Sequence, residues 1–206
     1  MDFYLLIIGF FVVFIGYLRI FVCYLKFNGD IVKSINGVDI AKNITSDYDS
    51  INVVESKNIL ISKFSFRRNV IYLSKRLYYA SDVFSLSLVS FLAGISVSDN
   101  SYVKFMRKIF PSIDFFNKSS IVMTIISFLS YNKGDVRIGI ILGIIIIIYQ
   151  YFYLQIFYFG MQIVLGHKIS KKDSIQYILN KMYSCNVLFF VSSLIFILRF
   201  VFIIIK

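Results

Sequence analysis

The side chains able to hold a metal ion or move protons are few and far apart in this chain. There is one histidine, His167, and there are two cysteines, Cys23 and Cys185. A zinc site takes three or four such ligands, or carboxylates acting with them, so these three residues make none on their own. His167 stands in Gly-His-Lys-Ile-Ser-Lys-Lys and reads as part of a basic loop. The cysteines fall near the ends of apolar segments; in a reducing compartment they stay free and serve as small apolar residues. Serine chemistry is no better supplied. There is no Gly-x-Ser-x-Gly, and a lone histidine in a basic loop gives a Ser-His-Asp triad little support. No glycine-rich phosphate loop is present either, since the glycines sit mostly in apolar segments, which argues against nucleotide chemistry. No cofactor is expected.

What surrounds these residues is membrane-like. Of 206 residues 58% are hydrophobic, and several uncharged runs are long enough to cross a bilayer, so the chain reads as a multi-pass integral membrane protein. Three alanines and no tryptophan stand beside 23 phenylalanines and 15 tyrosines, the bias an AT-rich coding sequence imposes, so an aromatic at a given position carries less information than usual. The net charge of +11 raises nucleic acid as a partner. The basic residues are instead dispersed among apolar segments without an arginine-rich tract, as in loops held on the cytoplasmic side, and no nucleic-acid partner is expected.

Residues 3–27 form the first span, broken only by Arg19 and Lys26, with Asp2 where a signal peptide carries positive charge and no small-x-small cleavage site. It reads as an uncleaved anchor, with Gly9 and Gly16 on one face for close helix contact and Arg19 snorkelling toward the Lys26 end. Residues 119–131, extended back through Phe115 and Phe116, make a short tilted span. The connector after Tyr131 leads into residues 138–160, the clearest span, in which Gly139 and Gly143 have small-xxx-small spacing. Gln150 and Gln155 in its second half are expected to bond to another helix through Ser127, Ser192 or Ser193. Residues 161–185 read as a basic loop, and residues 186–205 as a last span whose Arg199 snorkels toward Lys206. Lys and Arg number thirteen over residues 26–118, four over 161–185 and two in the connector. Both basic stretches are therefore expected in the cytoplasm and both termini outside.

Residues 28–118 are mixed and charged, the one part suited to a water-facing domain. Asn36 can cap a helix with Asp39 at its third position and Val38, Ile40, Ala41 and Ile44 inward. Strand-like runs cover residues 51–55, 58–66 and 70–74, with alternation in Leu60, Ser62, Phe64, Phe66 and in Val70, Tyr72, Ser74. Ser81 or Asp82 then caps a helix over residues 81–98, in which apolar residues alternate with serines. Residues 99–110 interleave Lys104, Arg107 and Lys108 with apolar residues, an amphipathic segment suited to an anionic lipid surface and ended by Pro111.

The order and spacing of these features resemble the membrane-bound neutral zinc metallopeptidases. The resemblance rests on Asn36-Gly-Val-Asp-Ile-Ala41, which is similar to a Thr-Gly-x-Glu-Val-Ala helix start, and on the run from Lys63 through Val70-Ile-Tyr-Leu-Ser74 into the helix at Ser81. Lys181-Met-Tyr-Ser-Cys-Asn-Val187 resembles the family's entry into its final span. In that family the helix carries His-Glu-x-x-His, whose two histidines one turn apart bind zinc while the glutamate acts as general base. Here the five motif positions fall on Phe91, Leu92, Ala93, Gly94 and Ile95, and the third ligand falls near Phe157. Ligands and base have all become apolar, so no catalytic or metal residue is expected.

The resemblance thus implies an α-helical integral membrane protein of about four transmembrane helices with a small α+β cytoplasmic metallopeptidase-like domain. Its parts are an N-terminal anchor over 1–27, a cytoplasmic region over 28–118 with the degenerate motif helix 81–98, and transmembrane helices over 119–206 with the basic loop 161–185. The expected function is that of a pseudoenzyme of the bacterial cytoplasmic (inner) membrane, embedded in the lipid bilayer and binding a membrane protein or polypeptide. The alternatives are an active metallopeptidase with an atypical site, which calls for a polar cluster around Phe91 and Phe157, and a structural membrane protein with a basic lipid-facing surface.

Overall fold

The computed structural model describes residues 2–33, 35–48, 50–57, 62–114, 118–132 and 136–205. Eight helices and four strands run through them in the order α1 (Asp2–Phe27), α2 (Gly37–Thr45), β1 (Asn52–Ser56), β2 (Lys63–Ser65), β3 (Val70–Ser74), α3 (Lys75–Tyr78), α4 (Val83–Val97), α5 (Ser101–Ile109), β4 (Ser112–Asp114), α6 (Ser119–Asn132), α7 (Val136–Gly166) and α8 (Lys172–Ile205). Among the described residues three helices are long and apolar enough to cross a membrane, Phe3–Phe27 within α1, α7 and α8, and α4 with α5, bent by 92° at their break, passes the same test as a pair. The fourth expected span shortens to α6, whose 14 residues rise only about 21 Å against a hydrocarbon core of about 30 Å. Phe115 and Phe116, invoked to lengthen it, lie outside the described residues. The loop expected over residues 161–185 is helical except around residues 167–171. The reason is legible in hindsight: Met161 and Val164, then Ile175, Ile178, Leu179 and Met182, are buried at three- and four-residue spacing.

The chain divides into two compact units. The first comprises Met1–Phe21, Asn117–Leu154 and Tyr183–Lys206. Its helices meet where glycine removes a side chain and an aromatic ring fills the space. A Cβ on Gly9 would stand 2.4 Å from Phe196 Cε1, and one on Gly16 2.5 Å from Phe189 Cε1. Both pairs are seven residues apart, so two turns of α1 receive two rings of α8 in register. Gly139 meets Phe200 in the same way, and Gly143 meets Ile197 and Met123.

Two polar expectations fail in this unit. Arg199 does not snorkel: it is fully buried, and its Nη1 donates to the Ser127 carbonyl and, at 2.8 Å, to the Ser127 hydroxyl. Bonding to α6 supplies oxygen acceptors that a lipid-facing guanidinium would otherwise seek at the membrane edge. Gln150 does not serve as helix glue, because Arg199 occupies Ser127 and the hydroxyls of Ser192 and Ser193 donate to the Phe189 carbonyl at 2.7 and 3.1 Å. The buried Gln150 amide has no hydrogen-bond partner among the described residues. Arg19, by contrast, is exposed.

The second unit comprises Val22–Phe116 and Gln155–Met182. Its sheet has the order β1-β3-β2-β4, with β1 parallel to β3 and the other pairs antiparallel. The hairpin between β2 and β3 closes with Asn69 at φ 50°, a left-handed conformation that asparagine tolerates. Phe64 stands opposite Ile71 on one side and Ile113 on the other, and with Leu73 these form the inward face. In β3 the alternation turns Ile71 and Leu73 inward, fully buried, while Val70 and Tyr72 are half-buried on the other face. Strand β4 had no sequence signal. Helix α2 opens with the expected capping box: Asn36 Oδ1 accepts from Asp39 N–H at 3.0 Å, and Asp39 accepts from Asn36 N–H at 3.1 Å. A Cβ on Gly37 would lie 1.9 Å from the Leu77 carbonyl oxygen, so only glycine lets α2 start against α3.

Candidate functional site

Helix α4 carries the positions aligned with the peptidase motif, and its placement follows from local chemistry. The Asp82 carboxylate caps it, accepting from Ser85 N–H at 2.8 Å. Its start is tied to the segment after α1 by Val32 N–H to the Ser81 carbonyl at 2.8 Å and Val83 N–H to the Asp30 carbonyl at 2.9 Å. All 15 residues are buried, as expected of a helix apolar on every side. Its serines do not make a polar site. Ser87, Ser90 and Ser96 donate at 2.7–2.8 Å to the carbonyls of Val83, Leu86 and Ala93, within their own helix.

Phe91, Leu92, Ala93, Ile95 and Phe157 are each 0% exposed. The rings of Phe91 and Phe157 stack, with centroids 4.2 Å apart and planes 29° from parallel. One turn further the two helices reach backbone contact: a Cβ on Gly94 would stand 2.4 Å from the Gly160 carbonyl oxygen, and one on Gly160 2.8 Å from Ile95 Cγ1. Phe91 therefore meets Phe157, and Ile95 meets the residue three positions after it. These contacts offer ring and aliphatic surface, which neither coordinates a cation nor transfers a proton. Among the described residues no three His, Cys, Asp or Glu side chains gather as metal ligands.

No family model, curated protein or solved structure matches this chain.

The remaining chemistry-bearing residues are spent locally. His167 Nδ1 lies 2.9 Å from the Ile163 carbonyl oxygen, a contact that puts the proton on Nδ1 and ends α7. Cys23 and Cys185 are buried thiols that take part in no disulfide among the described residues.

A second candidate was not foreseen. On the outward face of the sheet a groove of about 590 Å³ is lined by Val54, Lys57, Lys63, Ser65, Arg68 and Tyr72, with Glu55 at its β1 side. The register that turns Phe64 and Ile71 inward places Lys63 beside Tyr72 on the open face. Arg68 Nη1 donates to the Tyr72 hydroxyl at 3.3 Å, which raises the guanidinium pKa further above its ordinary value. The Tyr79 hydroxyl donates to Glu55 at 3.0 Å, and that bond to a carboxylate pushes the phenol above the usual tyrosine range. β1 is an outer strand of this sheet, with one edge open among the described strands. The signal that could have found the groove was the charge of Lys63 and Arg68 on a hairpin whose other face is apolar.

Proposed function

We propose that the chain is a metallopeptidase-like membrane protein whose reaction centre has become a structural contact, and that it binds a protein partner or polypeptide without cleaving it. The observation that carries the reading is the buried Phe91–Phe157 stack, at the two positions where the resemblance expects metal ligands. A peptidase keeps a water-accessible metal with an open coordination position. Here the same volume is filled by side chains whose packing helps hold α4 against α7. The sheet groove is the surface best suited to the binding role: Lys57, Lys63 and Arg68 outnumber Glu55, which favours an acidic extended segment, and the edge of β1 can pair with one.

Two measurements test this. Elemental analysis of the purified full chain is expected to give zinc well below one ion per chain, with no chelator-sensitive cleavage of an unfolded protein substrate. Stoichiometric zinc together with chelator-sensitive cleavage would sink the proposal. Fluorescence anisotropy with acidic and basic peptides of equal length is expected to favour the acidic one, and K63E/R68E to abolish that preference.

A further inference from the structure

The Lys26 end of α1 gathers two cations around one aromatic ring. Lys26 is exposed near the end of the apolar run of α1, and Lys181 is exposed and is the last charged residue of α8 before Arg199, positions suited to the edge of a bilayer. Between them stands Tyr177, 43% exposed. The Lys26 ammonium lies 5.2 Å from the Tyr177 ring centroid, and the Lys181 ammonium 5.3 Å from the same centroid. Two like charges are thereby held within about 10.5 Å of each other at most, around one ring. A third cation, Arg76, is fixed on the last turns of α1, donating to the Tyr24 hydroxyl at 3.0 Å and to Asn28 Oδ1 at 3.1 Å. The nearby carboxylate of Asp30 is engaged by Lys171. Asp173 is two turns of α8 from Lys181, about 12 Å along the helix and away from its apolar run. Below the lysines, Val22 and Leu25 are more than half exposed and present apolar surface.

We infer that Lys26, Tyr177 and Lys181 form a binding site for the headgroup phosphate of an anionic phospholipid. The lysines supply charge to the phosphate oxygens, the ring lies against both ammonium groups, and the exposed side chains of α1 lie along the acyl chains. A free phosphate offers the same anion but nothing for the apolar surface, and a zwitterionic lipid offers the acyl chains but no net charge. The site does not depend on the fate of the metallopeptidase motif.

Native mass spectrometry of the detergent-solubilised full chain tests it, with phosphatidylglycerol, phosphatidylcholine of the same acyl chains, and inorganic phosphate as separate probes. Phosphatidylglycerol is expected to be retained preferentially. K26Q/K181Q weakens that retention about 30-fold, from two basic residues near a lipid surface, and K26R/K181R keeps it. K42Q/R67Q removes two exposed charges elsewhere and leaves retention within about twofold. Should the double variant not fold, K181Q alone is expected to weaken retention about fivefold. Equal loss in the control variant, equal retention of phosphatidylcholine, or displacement of the lipid by millimolar phosphate would each overturn the assignment.

Discussion

Replacing Phe91 by alanine removes one member of a fully buried ring pair between two helices. Phe→Ala in a packed interior costs about 3–5 kcal/mol, the transfer of the ring plus the cavity it leaves. A stacked aromatic pair adds about 0.5–1.5 kcal/mol beyond buried area. For a chain of this length each kcal/mol lowers the unfolding temperature by about 2–4 °C, so F91A is expected to fall by about 6–20 °C in detergent. F157A is expected to fall by a similar amount. The double variant should lose less than the two single losses together, by about the stacking term, because the second truncation enlarges a cavity already made. F91H supplies a companion measurement: its imidazole enters an apolar site with Leu92, Ile95 and Phe157 as neighbours in the motif, so it destabilises and recruits no zinc. The reasoning is refuted if F91A unfolds within about 2 °C of the parent chain, or if the two truncations are additive within error.

The glycine contacts separate by what a new methyl group would strike. G94A drives a Cβ into the backbone oxygen of Gly160, whereas G16A meets the end of the Phe189 ring. Both overpack, but G94A is expected to cost more, up to about 3 kcal/mol against about 1, as read from thermal unfolding of the two purified variants. S127A deletes the hydroxyl that accepts from the buried Arg199 at 2.8 Å. With the carbonyl bond remaining, it is expected to cost about 1.5–3 kcal/mol, and a neutral result would show that the hydroxyl bond carries no weight. D82A removes the side-chain cap of α4 and is expected to cost about 1 kcal/mol, with D82N retaining most of it, in the same unfolding assay.

How far the fold could be read from the residues varied with how local the cause was. The Asn36–Asp39 capping box, the Asp82 cap and the strand over residues 70–74 follow from neighbours a few positions apart, and each lies where it was expected. The inward face of β3 is left open by the residues themselves, because Tyr72 and Ile71 both suit a strand and only the pairing of Ile71 with Phe64 decides between them. β4 is three residues long and exists through its ladder with β2, so nothing in Ser112–Asp114 alone announces it. The basic stretch after α7 was read by its lysines, while its helical order comes from the apolar residues between them. Gln150 and Arg199 invited the same reasoning, that polar groups in apolar helices find partners or the membrane edge. Which hydroxyl each would reach depended on the relative rotation of α6, α7 and α8, and that is set by glycine positions.

The candidate site was legible in a different sense. Phe91, Ile95 and Phe157 could be named only through a family pattern, since hydrophobicity alone makes them three apolar residues among many. What adds physical content is that Phe91 meets Phe157 while Gly94 and Ile95 meet Gly160, so a spacing of one turn lets a ring and an isoleucine share a neighbouring helix. A helix face packed with no room for water gains stability from that packing, provided the glycines allow the backbones to close. The Gly94–Gly160 crossing supplies that condition. It also makes metal binding at this place costly to build: four polar side chains would have to replace Phe91, Leu92, Ile95 and Phe157 inside a tightly packed contact, each carrying a desolvation cost of about 1–3 kcal/mol or more until a metal is bound.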